Sequence, residues 1–187
     1  MVVVSRCKWA QTITDAEYLA YHDTEWGTPV RSNEELFELL TLDGAMAGLS
    51  WLTILRKRKF YREEFANFDI NSVAKMKTSN IEKIIQNGNV VKHSGKIKSV
   101  IINANAFLSI IDEFGSISAY FDSMLKDTNV EDLAITTAPI SDVATTISKN
   151  LKKRGFSFVG PTTVQSFLQA AGFFKCHDEF CFRRKGV

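Results

Sequence analysis

Long apolar runs are missing from this chain of 187 residues, and so is a strong excess of either charge. No stretch approaches the roughly 20 apolar residues that a membrane-spanning helix needs, and the apolar start of MVVVSRCKW is too short for a secretory signal. These absences predict a cytoplasmic protein without a membrane partner. Low-complexity segments, long linkers and repeats are also missing, and a length of 187 residues predicts one domain over residues 1–187, or one domain with a small subdomain. The 45% of hydrophobic residues is enough for a globular core.

Cysteine and histidine are scarce, with three of each in the chain. Even so, FKCHDEFC at 174–181 brings Cys176, His177 and Cys181 into one short stretch. A reducing cytoplasm and an odd number of cysteines disfavour a disulfide. The spacing back to the other histidines matches no short zinc-finger pattern, so it does not establish a metal site. From these residues alone, a disulfide, a metal site and chance stay open as alternatives.

The net charge is only +2, which does not demand a nucleic-acid partner. The basic residues are clustered, however, as RKRK at 56–59, KKR at 152–154 and RRK at 183–185. Clusters of this kind allow a local basic face even when the global charge is low. Solvated helix ends are the alternative interpretation of each cluster.

Alternating strand patterns longer than four residues are absent, while apolar residues recur at helical spacing. The pattern predicts an all-α fold of roughly eight to ten short helices. Capping residues indicate helix starts at Ser32 and Ser79. Capping residues and glycine or proline breaks also indicate helices over 95–114, 116–125, 141–154 and 161–172. Residues 126–140 have the weakest pattern and are predicted to form a loop.

Two lysines, Lys96 and Lys98, open the predicted helix at 95–114. Positive charge at a helix N-terminus opposes the helix dipole, so this placement is mildly unfavourable. An exposed first turn is the preferred interpretation, and a contact with phosphate is the alternative.

The stretch LKKRGFSFVGPTTVQSFLQAAG at 151–172 predicts a helix, a short turn and a second helix. Gly155 and Gly160 flank the turn, and glycine permits positive φ and a close approach of the backbone to another molecule. Lys153 precedes the turn, and the second helix offers free amides at its positive dipole end, which suits a phosphate. The pattern is typical of a helix-hairpin-helix DNA-binding motif. An ordinary corner between two helices is the alternative.

Aromatic residues are dense near the N-terminus, where Trp9, Tyr21 and Trp26 precede Asp43 and Trp51. Core packing is the usual role of aromatic side chains. A pocket of aromatic faces with one carboxylate would also suit a flat, positively charged heterocycle. Stacking and cation–π attraction would bind the ring, and the acid would accept its N–H.

Several long motifs occur in one order along the chain: RCKW at 6–9, YHDTEWG at 21–27, LFELLTLDGAMAGLSWLTILRKR at 36–58, KHSGKIKSVIINANAF at 92–107 and LKKRGFSFVG at 151–160. Together they resemble the 3-methyladenine DNA glycosylase I family over essentially the whole chain. The resemblance implies an all-α helix-hairpin-helix glycosylase of one domain. Its helix-hairpin-helix would cover about 141–172, and its terminal segments, 1–30 and 172–187, would be joined by a structural zinc ion.

The resemblance also assigns roles to individual residues. It implies zinc ligands at Cys7, His22, His177 and Cys181, far from the chemistry, with Cys176 as a spare thiol. It implies a base pocket lined by Trp9, Tyr21, Trp26 and Trp51, with Asp43 as the catalytic acid that binds the base. It implies DNA contacts at Gly48 and Leu49, which would press into the gap left by a flipped base, and at Lys153, Gly155 and Gly160.

Two pocket residues depart from the pattern of the family, which typically has Glu at the place of Asp43 and Gln at the place of Met46. The expected function is hydrolysis of the N-glycosidic bond of 3-methyladenine in double-stranded alkylated DNA after base flipping, which leaves an abasic site. The protein is expected to act as a monomer in the bacterial cytoplasm, at the nucleoid. The alternatives are a glycosylase with altered base preference, a non-catalytic protein that binds alkylation damage, and a zinc-stabilised helical interaction module.

Overall fold

The computed structural model describes residues 4–127 and 140–186. These ranges contain helices and no strand, which confirms the all-α prediction. The α-helices are α1 Lys8–Gln11, α2 Ala16–Thr24, α3 Asn33–Met46, α4 Trp51–Leu55, α5 Arg58–Glu64, α6 Ile70–Ala74, α7 Thr78–Asn87, α8 Ser94–Phe114, α9 Ile117–Leu125, α10 Asp142–Lys153 and α11 Pro161–Ala170. Two 3-10 helices add Ala66–Phe68 and Phe182–Gly186. The described helices exceed the predicted number because several have only four or five residues.

Most helix boundaries follow the capping signals of the sequence. Ser32 accepts a hydrogen bond from the backbone N–H of Glu35, and Ser141 caps α10 in the same way. Gly115 ends α8 with a φ of 83°, a conformation that costs glycine little. The predicted cap at Ser79 is wrong by two residues, since the N-cap of α7 is Lys77, whose backbone N–H donates to Asn80.

The core is built around α3, whose residues are buried without interruption from Leu36 to Ala45. α6, α8, α9 and α11 all pack against this helix. Since every side of this segment is buried, its polar side chains are buried as well. Asp43 is the one among them that lies closest to the C-terminal end of α3. The fold thereby places a carboxylate inside the protein, close to the end of the helix that carries it.

None of the described helices is by itself long and apolar enough to cross a membrane, although α8 and α9, bent by 72° at their break, satisfy criteria of length and composition as a pair. Most of the loop predicted at 126–140 lies outside the described residues.

Candidate functional site

A cavity of about 420 Å³ opens between the N-terminal helices, the end of α3, α11 and the C-terminal segment. Residues from parts of the chain that are far apart in sequence line it: Lys8, Trp9, Tyr18, Tyr21, Trp26, Asp43, Met46, Trp51, Ser166, Gln169 and Asp178. The structure therefore brings together all four aromatic residues and the one acid that the sequence had indicated.

Aromatic rings form the walls of this cavity. The centroids of Trp9 and Trp26 lie 5.1 Å apart with their planes at 86°, and those of Tyr21 and Trp51 lie 5.1 Å apart with their planes at 44°. Tyr18 adds a further ring, 5.4 Å from Trp9. Such mutual contacts fix the ring orientations, so the aromatic faces are in place before any ligand arrives.

Asp43 is the buried acid of the cavity, with 2% of its surface exposed. Its Oδ1 accepts a hydrogen bond of 2.6 Å from the hydroxyl of Ser166 on α11. Burial raises the pKa of the Asp43 carboxyl to about 7, and the Ser166 hydrogen bond lowers it by less. The group therefore changes between acid and carboxylate near neutral pH.

Three buried polar atoms of the cavity have no hydrogen-bond partner among the described residues: Oδ2 of Asp43, Nε1 of Trp51 and Nε2 of Gln169. Buried polar atoms are normally paired, so unpaired ones need an explanation. The set provides one acceptor and two donors, and a planar heterocycle with N–H and ring-nitrogen edges could satisfy all three. Water can pair these atoms in the open cavity of the free protein, and a ligand of that kind would pair them when it binds.

The 47–50 turn connects the cavity residues Met46 and Trp51 and contains both residues that were predicted to press into DNA. Gly48 has a φ of 78°, and a Cβ built on it would meet no atom of the described residues within 4 Å, while Leu49 keeps 43% of its surface exposed. Single exposed leucines are common on protein surfaces, so this exposure leaves Leu49 available to a partner without by itself indicating one.

The 155–160 turn between α10 and α11 differs in one respect from the sequence prediction. Gly155 has a φ of 90°, as expected, whereas Gly160 has a φ of −63° and acts as the N-cap of α11. The second residue with positive φ is Phe158, at 57°, which is rare for a bulky side chain. Lys153 is exposed beside the turn.

Most side chains of the three basic clusters bind to the protein itself, which neither earlier interpretation had anticipated. Arg58 pairs with Glu25 and Glu38, and Arg154 pairs with Glu113. Arg184 donates to backbone carbonyls of the C-terminal segment. The basic face predicted from these clusters is therefore smaller than the sequence suggested.

Four potential metal ligands from the two chain ends meet at one place. The Sγ and ring-nitrogen atoms of Cys7, His22, His177 and Cys181 all lie within 4.8 Å of one another, and all four residues are buried. Sγ of Cys7 lies 3.4 Å from Nδ1 of His177, and Sγ of Cys181 lies 3.6 Å and 3.7 Å from the nearest nitrogens of His177 and His22. Sulfur and nitrogen ligands of a tetrahedral zinc ion are separated by about 3.5 Å.

The remaining ring nitrogen of each histidine has its own partner. Nδ1 of His22 lies 2.8 Å from the carboxylate of Asp23, which Arg6 also contacts, and Nε2 of His177 lies 2.9 Å from the carbonyl oxygen of Trp26. Such partners orient metal-binding imidazoles in known sites. The donor set, its spacing and these partners all fit a structural zinc ion.

Cys176 is separate from this group. It is buried, and its thiol donates to the carbonyl oxygen of Gln169 at 3.5 Å. Burial raises the pKa of the Cys176 thiol to about 12, so it is protonated at neutral pH. The structure contains no disulfide among the three cysteines, all of which are described.

The expectation that this cluster lies far from the cavity is wrong. The ring of His22 stacks on Trp26 at 5.9 Å and meets Trp9 edge-on at 5.1 Å, while His177 lies 4.8 Å from Trp26. Both chain ends close over the same side of the core, and this cannot be read from positions that are so distant in sequence. The potential metal ligands therefore support the aromatic wall directly.

Ser166 and Gln169 were missed by the sequence analysis, although both line the cavity. They are three residues apart on α11 and so share a face of that helix. The sequence signal for this pair was weak, because α11 also carries the polar residues Thr162, Thr163 and Gln165. It gained meaning only when α11 was seen to pack against the end of α3 that carries Asp43.

A helical protein whose aromatic pocket ends on a buried carboxylate has the architecture of enzymes that take a flat base out of the DNA stack, the DNA glycosylases. The family model described as methyladenine glycosylase matches residues 9–184. The chain belongs to this family.

Individual relatives agree with the family match. The chain is 38% identical over 185 residues to DNA-3-methyladenine glycosylase 1 of Escherichia coli, covering 95% of this chain and 96% of the relative. It is also similar to a crystal structure of a tyrosine-to-phenylalanine variant of 3-methyladenine DNA glycosylase I in complex with 3-methyladenine, with a TM-score of 0.87, 36% identity and coverage of 94% and 96%. The 3-methyladenine DNA glycosylase I of Staphylococcus aureus gives a TM-score of 0.86 at 36% identity, with coverage of 94% and 95%.

Proposed function

We propose that this protein is a monofunctional DNA glycosylase that removes 3-methyladenine from alkylated double-stranded DNA by hydrolysis and leaves an abasic site. The observation that supports this most directly is the unpaired Oδ2 of Asp43 in an aromatic pocket. Relatives that share more than a third of their residues with the chain carry the name of this activity, and one of them is bound to 3-methyladenine.

The aromatic rings and the carboxylate of the pocket recognise the positive charge of the methylated base. Methylation at N3 gives adenine a positive charge, and the base becomes neutral when the glycosidic bond breaks, so departure needs little help from an acid. The faces of Trp9 and Trp26 attract the cationic ring. The Asp43 carboxylate accepts an N–H of the base and holds it in place, while Ser166 fixes the orientation of the carboxylate.

The unpaired donors of Trp51 and Gln169 would complete the recognition of the base. Both are N–H groups, and the ring nitrogens of adenine that are not methylated accept hydrogen bonds. Since an acceptor and two donors face one cavity, a base must present the complementary pattern to bind well. This requirement is the basis for selectivity in the pocket.

Cys7, His22, His177 and Cys181 would hold a zinc ion, and with four protein ligands that ion supplies structural support and no activated water. Their own contribution is to join the two chain ends beneath the pocket. His22 and His177 pack against the tryptophans that form its wall.

The two exposed turns would contact the duplex. In the proposal, Gly48 and Leu49 fill the space that the flipped nucleotide leaves, which requires an apolar group that protrudes. Lys153 and the backbone at Gly155 and Gly160 contact the phosphates, together with the first-turn amides of α11. In this proposal the protein acts as a monomer.

A base-release assay tests the proposed function. Duplex DNA treated with a methylating agent is incubated with the protein, and the released bases are separated and quantified. Free 3-methyladenine is the expected product. Tight, salt-dependent binding to methylated DNA without release would indicate a non-catalytic damage-binding protein, and release of a different methylated base would indicate altered preference. Absence of both release and salt-dependent binding would leave only an interaction module.

A further inference from the structure

Two buried polar side chains on α8 contact the two turns assigned above to DNA, and the proposed mechanism uses neither of them. Lys96 lies in the first turn of α8, and Asn103 lies seven positions later. Seven positions are close to two turns of a helix, so both side chains leave α8 on the same side.

Lys96 is turned into the protein, contrary to the exposed first turn that the sequence suggested. Only 9% of its surface is exposed, and its Nζ donates to the carbonyl oxygens of Ala45 at 2.9 Å and Ala47 at 2.6 Å. These carbonyls are at the C-terminal end of α3, where the helix dipole is negative. No carboxylate within the described residues forms an ion pair with Lys96, so the backbone carbonyls compensate its buried charge.

Asn103 contacts the other turn with both ends of its amide. Its Nδ2 donates to the carbonyl oxygen of Ser157 at 3.0 Å, and its Oδ1 accepts from the backbone N–H of Ser157 at 2.8 Å. Two residues along, the carbonyl oxygen of Val159 accepts a bond of 2.6 Å from Ser148. Phe158, with its positive φ, is therefore held between two fixed neighbours.

The end of α3, the start of α8 and the 155–160 turn also pack against one another. A Cβ built on Gly44 would lie 3.2 Å from the carbonyl oxygen of Phe158, and one built on Gly95 would lie 3.5 Å from its ring. His93 meets the same ring edge-on at 5.7 Å. The three segments thus share one contact region, and a Cβ at Gly44 would press on the backbone of the 155–160 turn.

We propose that Lys96 and Asn103 are positioning residues, which hold the 47–50 turn and the 155–160 turn at a fixed separation so that both contact one duplex at the same time. This inference rests on the proposed function, because it assigns both turns to DNA. Segments that are ordered before binding do not lose conformational entropy when the complex forms. Two contacts on one rigid support also reinforce each other, since the first brings the second into place.

The central variant is Lys96→Met, which keeps an unbranched side chain of similar length and removes the ammonium group. Two dissociation constants are measured: one for free 3-methyladenine, and one for a duplex with a tetrahydrofuran analogue of an abasic site. We expect the free-base affinity to stay within about twofold of wild type. Duplex binding should weaken on the order of 10-fold, because even one residue that has to be ordered on binding lowers the affinity by about that factor.

The salt dependence of duplex binding separates positioning from phosphate contact. A lysine that contacts phosphate contributes about 0.9 to the slope of log affinity against log salt concentration. Because Nζ of Lys96 is directed at carbonyls, we expect the variant to keep the wild-type slope. Lys98→Met is the matched control, since it removes an equal charge from an exposed position on the same helix. It should weaken duplex binding less than Lys96→Met.

Asn103→Ala tests the second contact independently and carries the test if Lys96→Met does not fold. Asn105→Ala is its control, because Asn105 is an exposed asparagine of α8 whose amide bonds to the carbonyls of Ile101 and Ala74, away from both turns. We expect Asn103→Ala to weaken duplex binding on the order of 10-fold with unchanged free-base affinity, and Asn105→Ala to bind the duplex like wild type.

The outcomes separate this inference from the proposed function. Wild-type duplex affinity in both Lys96→Met and Asn103→Ala, with base release intact in the wild type, would overturn the positioning role and leave the function standing. A slope reduced by about one in Lys96→Met would overturn it as well, since that lysine would then be a phosphate contact. Failure of the wild type to release any base would count against the proposed function itself.

Discussion

Asp43 occupies a position that is unfavourable for folding and useful for binding. Its carboxyl is almost completely buried, and the single hydroxyl that contacts it leaves one oxygen without a partner among the described residues. Burial without a cation disfavours the charged form, so the proton is retained up to a pH of about 7. A cationic base would reverse this balance, because it brings the missing charge into the pocket.

The first prediction concerns catalysis by this residue. Asp43→Asn keeps the size of the side chain and an oxygen for Ser166, but it removes the negative charge. We expect excision of 3-methyladenine to fall on the order of 10²-fold, the scale on which positioning losses act, with nearly unchanged duplex binding. Single-turnover kinetics and duplex titration measure the two. Excision at the wild-type rate would show that Asp43 does not hold the base.

The kcat/KM for excision by the wild type should also rise with pH through about 7, because kcat/KM reports the free enzyme, in which burial raises the pKa of Asp43 to about 7, and the carboxylate is the form that binds the base. The Asp43→Asn variant should lack this rise, since it has no group to ionise at this position. A rise that persists in the variant would assign the titration to another group.

The second prediction concerns stability. The folded protein retains the Asp43 proton up to about pH 7, whereas the unfolded chain, with an ordinary pKa of 3.8, releases it earlier. The contribution of Asp43 to stability therefore falls between about pH 4 and pH 7 and stays low above pH 7. Asp43→Asn should be more stable than the wild type at pH 8 by up to roughly 4 kcal/mol, from about three pH units at ~1.4 kcal/mol each.

Urea denaturation of both proteins at pH 8 and pH 4.5 measures this difference. The advantage of the Asp43→Asn variant should shrink towards the lower pH, because the wild-type carboxyl is then protonated in the folded state. An equal difference at the two pH values would contradict the raised pKa of Asp43.

At the scale of elements, the two glycines of the 155–160 turn differ in their backbone conformation. Gly155 adopts a φ of 90°, which a side chain would make unfavourable, while Gly160 adopts an ordinary φ of −63°. A Cβ added at either position would meet no atom of the described residues within 4 Å, so steric space within the protein decides nothing. Glycine at position 160 is an acceptable N-cap residue, and it also leaves room for the close approach of the phosphate proposed above.

The third prediction uses this difference. Gly155→Ala should lower the free energy of unfolding by about 1–2 kcal/mol, the usual cost of a left-handed conformation with a Cβ. Gly160→Ser should leave stability unchanged or raise it, because serine is a favoured N-cap residue, yet it should weaken duplex binding. Thermal denaturation and duplex titration measure both effects. If Gly160→Ser binds the duplex as tightly as the wild type, the proposed phosphate contact at this position is wrong.

Elements of this protein could be predicted to different degrees. α8, α9, α10 and α11 were predicted closely, because caps, glycine stops and Pro161 act within a few residues of the helix ends they define. The orientation of Lys96 was not predictable in this way. Its partners are carbonyls of α3, and nothing local in the sequence of α8 indicates them.

At the scale of the whole molecule, the two chain ends and the pocket form one unit. The rings of His22 and His177 contact Trp26, and Asp178 both lines the cavity and receives the backbone N–H of Lys8 at 2.7 Å. A change at the potential metal ligands should therefore reach the base pocket. A metal site far from the pocket would not be expected to affect base binding in this way.

The fourth prediction tests metal content and this coupling together. Cys181→Ser should lose bound zinc, lower the melting temperature by roughly 10 °C, the shift expected for a few kcal/mol in a chain of this size, and weaken binding of free 3-methyladenine. Cys176→Ser is the control and should keep zinc and base affinity, because its sulfur is outside the ligand group. Metal analysis, calorimetry and base titration measure these effects. Zinc lost from Cys176→Ser but kept by Cys181→Ser would reverse the assignment of the ligands.

The sequence by itself determined the all-α fold, most helix ends, the family resemblance and the residues that could form a pocket. These follow from local rules of capping and periodicity, and from motifs that can be compared directly. Tertiary structure alone decided that the potential metal ligands support Trp9 and Trp26, that Ser166 fixes Asp43, and that Lys96 faces inward. Each of these depends on contacts between segments that are distant in sequence, and burial, which sets the pKa of Asp43, exists only once the chain has folded around it.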